Sequence, residues 1–184
     1  MEDQEQFTIL IVDGEEANFA ALREILQNDH HLEFLRSGGE ALAQVVEHKP
    51  DLILLNLKLP DMDGFDLLLK FKDMDEVRDV PVILMTSHAG VEDEEKGLKL
   101  GAVDYLIWPF HSAIVLARIR IQLEMVKHIR TIERLGMIDA LTDIPNRRFF
   151  DMRIKEEWRR TYRHKSCISM LMLDVDKFKD YNDT

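Results

Sequence analysis

Short apolar runs without hydrophobic–polar alternation mark the first 110 residues of the chain. Such runs are typical of strands that are buried on both faces, as in the middle of a parallel sheet. Stretches with apolar residues at helical spacing separate them, so that strand and helix alternate five times. This alternation predicts an α/β fold, a doubly wound five-stranded parallel sheet with right-handed crossovers. The predicted strands are Phe7 to Val12, His31 to Leu35, Leu52 to Leu55, Val80 to Met85 and Asp104 to Ile107.

The stretch from Pro50 to Asp66 is the centre of this pattern. Its apolar run ends at Asn56, and Pro60 and Gly64 mark the loop before the next helix. In open α/β sheets, ligands gather beyond the carboxyl ends of the strands. We therefore expect Asn56 to share one crevice with the polar and aromatic residues that end the other strands, which are Asp13, Thr86 and Trp108.

A helical pattern without Gly or Pro then runs from His111 to Leu135, about 37 Å at 1.5 Å per residue. It carries two apolar stripes. One holds Ile114, Ile121, Met125, His128, Ile132 and Leu135, with Arg118 interrupting it, and the other holds Val115, Ile119, Val126 and Ile129. We expect one stripe to pack on the sheet and the other to meet a partner helix. The alternative is a long helix buried entirely against its own domain.

After Gly136 the sequence changes character. Asp139 to Arg148 is rich in turn formers, a helix with Phe149 and Trp158 follows, and Ser166 to Leu173 is predicted to be a strand. That strand has no predicted neighbour, so residues 139–184 resemble the opening of a domain cut short. We therefore predict a first domain over 1–121, a helical linker over 122–138 and a truncated domain over 139–184.

Charge and composition limit the functional classes. The net charge is −11, but residues 1–110 hold 24 acidic and 9 basic residues, whereas residues 111–184 hold 11 acidic and 15 basic ones. The acidic first part argues against nucleic acid as a partner. The basic second part could attract phosphates or be an ordinary solvated surface. No apolar run is long enough for a membrane span, no signal-peptide pattern is present, and the single Cys167 is predicted to be a core thiol, so we expect a cytoplasmic protein.

Four segments closely resemble the receiver domain of two-component response regulators over about residues 6–121. They are I-L-I-V-D, P-D-L-I-L-L-N-L-K-L-P-D-M-D-G-F-D, P-V-I-L-M-T-S and G-A-V-D-Y-L-I-W-P-F. The resemblance implies a flavodoxin-like fold. It also implies an aspartate nucleophile, an acidic pair that holds Mg²⁺, a hydroxyl and a lysine at the phosphoryl group.

This sequence departs from that site at three of its positions. Asn56 stands at the nucleophile, Gly14 at the second acid beside Asp13, and Trp108 at the lysine, while Thr86 keeps the hydroxyl. An amide cannot form an acyl phosphate as a carboxylate does. Glu15 could replace the missing acid, but it lies one residue late. We therefore predict a degenerate pocket with no catalytic residue and no bound cofactor.

The segments D-A-L-T-D-I-P-N-R-R and L-D-V-D-K-F-K-D-Y-N-D resemble the opening of the diguanylate cyclase (GGDEF) domain, which joins two GTP molecules into cyclic di-GMP. The resemblance implies Asp174 and the Val175 carbonyl as Mg²⁺ ligands, Phe178 and Lys179 beside the triphosphate, and Asn182 on guanine. Without it, Asp-x-Asp at a strand end is more often a turn than a metal site. The Gly-Gly-(Asp/Glu)-Glu-Phe loop does not occur in these 184 residues, so we expect no GTP cyclisation by this chain.

Two functions follow as hypotheses. In the first, a phosphate-independent receiver acts as a dimerisation or adaptor module that regulates a diguanylate cyclase, with the parent protein a homodimer that uses GTP and Mg²⁺ and contacts other signalling proteins. In the second, the receiver is purely an interaction module, attached to a catalytically inactive domain that binds GTP or protein. An ordinary phosphoacceptor switch is nearly excluded by Asn56, Gly14 and Trp108.

Overall fold

The computed structural model describes residues 6–87, 90–139, 141–174 and 176. The chain divides into two compact units, Met1–Ile129 and Arg130–Thr184. Among the described residues, no helix is both long enough and apolar enough to cross a membrane.

The first unit is built on one parallel sheet in the strand order β2-β1-β3-β4-β5. From β1 the chain first adds β2 on one side and then β3, β4 and β5 on the other. This reversal in the order of the strands makes the fold doubly wound. The predicted five-stranded parallel sheet is thus confirmed, and β1, β3 and β4 are buried along almost their whole length. The strands are β1 (Thr8–Val12), β2 (His31–Leu35), β3 (Leu52–Asn56), β4 (Val82–Thr86) and β5 (Asp104–Ile107).

Five helices cover the two faces of this sheet, and alternate side chains of each strand point to opposite faces. On one face, Ile9, Ile11 and Leu54 pack against the first and fifth helices. On the other, Leu10, Ile53 and Leu55 pack mainly against the second and third. The helices are α1 (Glu16–Leu26), α2 (Gly38–His48), α3 (Gly64–Asp73), α4 (Val91–Lys99) and α5 (Ser112–Leu135).

The α5 helix has two apolar stripes, as predicted, and they differ in burial. Val115, Ile119 and Leu123 are buried against the sheet, and Val126 is partly buried there. We call these four residues the buried stripe. Ile129, which we expected to share that side of the helix, is 52% exposed because it lies one turn beyond Val126, at the last residue of the first unit.

The other side of α5 is open. Ile114, Ile121, Met125 and Ile132 are between 49% and 69% exposed, and we call these four residues the exposed stripe. At 100° per residue its centre lies roughly 140° around the helix from the centre of the buried stripe. The first unit therefore covers one side of α5 and leaves the opposite side without a partner among the described residues.

The second unit contains α6 (Arg147–His164) and the loop before it. The predicted strand from Ser166 to Leu173 is wrong, since these residues have no strand structure and Leu171 to Leu173 are more than 80% exposed. A strand needs a neighbouring strand to satisfy its backbone groups, and no strand is found among the described residues of this unit. For the same reason Cys167 is exposed, not the core thiol that we predicted.

Candidate functional site

The carboxyl edge of the sheet brings together the four strand-end positions singled out in the sequence. Asp13 follows β1, Asn56 ends β3 and Thr86 ends β4. The backbone N–H of Trp108 donates to the Thr86 carbonyl at 2.8 Å, which ties the residue after β5 to the end of β4. The main chain therefore places these four residues at one edge of the sheet. The side chains at these positions determine which reactions the crevice could support.

Asp13 is fully buried, and each of its carboxylate oxygens accepts a hydrogen bond from within the chain. One accepts from the Glu15 backbone N–H at 2.8 Å, and the other accepts from the Asn18 amide at 2.9 Å. Sequence reasoning missed Asn18, although a polar residue on the inward side of α1 is a usable signal. The Glu15 side chain is exposed, so nothing in its burial marks it as a replacement acid.

Asn56 is 8% exposed at the centre of the crevice. Its Oδ1 accepts from the Lys58 backbone N–H at 2.9 Å, and the following N–H, of Leu57, donates to the Met85 carbonyl at 2.9 Å. These bonds hold the amide at the end of β3, the position that the resemblance assigns to the nucleophile. A neutral amide there is a hydrogen-bonding group and lacks the negative oxygen that attacks phosphorus.

Gly14 leaves the site without its second acid. A Cβ at this position would lie 3.1 Å from Cδ of Pro60, so the proline ring occupies the space beside it. Mg²⁺ prefers several charged oxygen ligands, whereas the strand ends offer only the Asp13 carboxylate, which already accepts two hydrogen bonds. In the described part of the chain, no group of three or more His, Cys, Asp or Glu side chains could hold a metal ion. These residues do not fit the Mg²⁺ that the resemblance implies.

The Trp108 side chain makes an aromatic packing contact. Its ring packs edge-to-face on Phe110, with the centroids 4.8 Å apart and the planes at 85°. Together these rings line a groove whose other wall is formed by Ala21, Glu24 and Ile25 of α1. An indole offers one N–H donor and no positive charge, so Trp108 cannot neutralise a phosphoryl group as lysine does.

The loop between β3 and α3 is clamped to its surroundings. The Asp61 carboxylate accepts from the backbone N–H groups of Gly38 at 2.9 Å and Gly39 at 2.8 Å, at the start of α2. These bonds, the one from Gly39 foremost, lower the pKa of Asp61. Gly64 is required by close approach, since a Cβ there would lie 2.5 Å from the Asn56 carbonyl oxygen. The clamp through Asp61 was not evident from the sequence, because it joins segments 22 residues apart.

A second candidate site lies in the Arg130–Thr184 unit. Asp139 closes a turn by accepting from Thr142, through both its N–H and its hydroxyl, and these bonds lower the pKa of Asp139. Asn146 caps α6 through the Phe149 N–H at 3.2 Å. Asp174 is exposed, while Val175, Phe178, Lys179 and Asn182 lie outside the described residues. The structure therefore describes the loop of this unit and only one of the five residues that the resemblance assigns to nucleotide and metal.

The first unit matches a known protein family. Residues 9–120 match the response regulator receiver domain. The chain belongs to the response regulator receiver family. Residues 136–184 match part of the diguanylate cyclase, GGDEF domain, as the resemblance predicted.

Individual relatives agree with this assignment. The response regulator PleD of Caulobacter vibrioides is 38% identical over 113 residues, which are 61% of this chain and 25% of PleD. A protein named probable cyclic di-GMP phosphodiesterase, from Vibrio cholerae serotype O1, is 35% identical over 124 residues, which are 67% of this chain and 28% of that protein. This chain thus spans about a quarter of the length of each.

Solved receivers share the fold of the first unit. A two-component response regulator from Clostridium difficile superposes with a TM-score of 0.61 and 30% identity, over 65% of this chain and 97% of that one. A CheY-like receiver domain protein from Methanospirillum hungatei gives a TM-score of 0.62 and 29% identity, over 67% of this chain and 98% of that one. The predicted flavodoxin-like receiver fold is confirmed.

Proposed function

We propose that residues 1–121 form a receiver that works without phosphorylation, and that it regulates a diguanylate cyclase whose domain begins near residue 139. In this proposal the receiver pairs two chains through α5, and residues 122–138 carry the coupling. The parent protein then makes cyclic di-GMP from two GTP. The link to cyclic di-GMP is supported by the GGDEF match and by the name of one relative, the probable cyclic di-GMP phosphodiesterase.

The proposal of phosphate independence rests on one observation. This is the chemical character of the residues around the crevice. Asn56 is a neutral amide whose oxygen is held by the Lys58 N–H. The Asp13 carboxylate accepts hydrogen bonds from Glu15 and Asn18, and Gly14 has no side chain that could bind a metal ion. The Trp108 ring packs against Phe110. The residues that the resemblance assigns to the nucleophile, the second acid and the lysine are all replaced, so no single compensating contact among the described residues would restore phosphoryl transfer.

The exposed stripe of α5 supports the homodimer. A surface with Ile114, Ile121, Met125 and Ile132 on one side of a 24-residue helix is apolar beyond what scattered surface residues require. Condensing two GTP held on two domains needs paired chains, and a second α5 helix would bury both stripes at once. A two-fold arrangement is the simplest closed one.

In the second unit, Asp174 would hold Mg²⁺ together with the Val175 carbonyl. Phe178 and Lys179 would lie beside the triphosphate and Asn182 on guanine. When bound, Mg²⁺ would neutralise charge on the phosphates during transfer. The Asp174 side chain is exposed, so its carboxylate is open to a metal ion.

We predict that the receiver takes no phosphoryl group. Incubating the purified chain with acetyl phosphate and Mg²⁺ should leave its intact mass unchanged, because Asn56 lacks the attacking oxygen. Beryllofluoride, which mimics the acyl phosphate, should leave its amide NMR spectrum unchanged for the same reason. An adduct that maps to residues 1–121 would disprove phosphate independence.

We also predict that this 184-residue chain makes no cyclic di-GMP and binds GTP weakly, because the Gly-Gly-(Asp/Glu)-Glu-Phe loop does not occur in it. Product can be followed by chromatography after incubation with GTP and Mg²⁺. Product that increases with protein concentration and disappears in Asp174→Ala would contradict the prediction. In a longer chain that carries an intact loop, the same assay separates a cyclase from an inactive nucleotide- or protein-binding domain.

A further inference from the structure

The receiver unit has a groove outside the degenerate pocket. It lies between α1 and the start of α5, has a volume of about 390 Å³, and is lined by residues that include Ala21, Glu24, Ile25, Trp108, Phe110 and Leu116. Most of its lining residues are apolar or aromatic, and Glu24 and Ser112 add polar groups. Nothing in the proposed pairing through the exposed stripe uses this groove, since Ile114, Ile121, Met125 and Ile132 do not line it.

The aromatic wall of the groove is held in place. The Trp108 ring packs edge-to-face on the Phe110 ring, with the ring centroids 4.8 Å apart. Phe110 in turn packs against the apolar cluster beneath α1 and α5. The Trp108 main chain is fixed by its hydrogen bond to Thr86. A half-buried indole that is held in this way keeps its position, so little side-chain entropy is lost when a ligand binds to it.

The electrostatics of the groove point to a positive ligand. Glu24 is the only charged residue lining it, and among the described residues this carboxylate has no hydrogen-bonding or ion-pair partner. The surrounding unit is strongly acidic, with 24 acidic and 9 basic residues over positions 1–110. The face of an indole attracts cations more strongly than any other side-chain ring does. Glu24 lines the same groove as Trp108, so its carboxylate adds a second attraction for a positive charge.

We propose that this groove docks a basic segment of a partner protein. An Arg or Lys side chain of the partner lies over the Trp108 ring with its charge toward Glu24, and an apolar neighbour contacts Ile25 and Leu116. Charge complementarity selects this occupant over an acidic or neutral one, because the acidic field of the receiver steers basic segments toward it. The residue that removes the family's phosphate chemistry thereby provides a contact surface.

NMR on the isotope-labelled full chain tests the proposal at physiological salt, where non-specific attraction is screened. The probe is a short capped peptide of repeating leucine, arginine and lysine, and the Trp158→Phe variant assigns the Trp108 indole N–H signal. We expect the peptide to shift that signal and the amides of Ile25 and Leu116. Glu24→Gln should weaken binding roughly fivefold, as expected for loss of one partly exposed charge contact beside an aromatic face.

The matched control is Glu47→Gln, which removes an exposed acid on α2 and should leave the affinity unchanged. A peptide with glutamine in place of every arginine and lysine should bind at least fivefold more weakly than the basic peptide. The proposal is overturned if the Trp108 signal stays unchanged at millimolar peptide, if the shifts map elsewhere, or if the neutral peptide or the Glu24→Gln variant binds as well as the original pair.

Discussion

Replacing Ile121 and Ile132 by glutamate should convert the protein from a dimer to a monomer. Both side chains lie in the exposed stripe, at 58% and 69% exposure, and in the proposed dimer both are buried against the second α5 helix. Burying an isoleucine contributes about 1.5–3 kcal/mol, and a charge in its place adds a desolvation cost. With two positions changed in each chain, we expect association to weaken by a hundredfold or more.

Light scattering at tens of micromolar protein gives the mass directly, and circular dichroism checks that the helical content is retained. Leu116→Glu is the matched control, because it places the same charge on the same helix at a residue that is 40% exposed and outside the exposed stripe. Its mass should remain that of the original protein. A monomeric original protein at this concentration would remove the dimer from the proposed function.

Replacing His128 should strengthen association of the chains, and the same light-scattering experiment can measure it. It is exposed on α5 between Met125 and Ile132, where a polar ring interrupts the apolar surface. In paired helices a polar residue at such a position fixes the register at a cost in stability. His128→Leu should therefore strengthen association, and a weaker dimer would mean that the stripe is not the contact.

The sheet could be predicted from the sequence because parallel strands buried on both faces leave an unmistakable apolar run. Leu52 to Leu55 has no alternation, and all four residues are fully buried. The ends of such runs also locate the crevice, since a polar residue such as Asp13 or Asn56 follows the last apolar position of each run. This part of the site needs only the local sequence and the general geometry of parallel sheets.

Side-chain partners could not be predicted in the same way. The bond from Asn18 to Asp13, the Asp61 clamp on Gly38 and Gly39, and the contact of Trp108 with Phe110 each depend on how loops approach one another. The error at Ser166 to Leu173 has a related cause. An apolar run has the local composition of a strand, but strand structure requires a neighbour, and none is found among the described residues of that unit.

Asn56→Asp alone should restore little phosphorylation by acetyl phosphate. The new carboxylate can keep the hydrogen bond from the Lys58 N–H, so its position is suitable. However, the metal still lacks a second acid and the phosphoryl group still lacks a cation. Metal coordination and a countercharge each contribute several kcal/mol to phosphoryl transfer. We therefore expect the triple variant Asn56→Asp, Gly14→Asp, Trp108→Lys to react at least a hundredfold faster than the single one.

The gain should exceed the product of the separate effects, because the three residues act as one site. Gly14→Asp requires Pro60 to move by a few tenths of an ångström, since the new Cβ would otherwise lie 3.1 Å from the proline ring. Intact-mass measurement over time gives the rates, and Thr86→Ala in the triple variant should slow the reaction again by removing the hydroxyl. Efficient phosphorylation of Asn56→Asp by itself would show that Gly14 and Trp108 matter less than their chemistry implies, and that the receiver is one substitution away from a working switch.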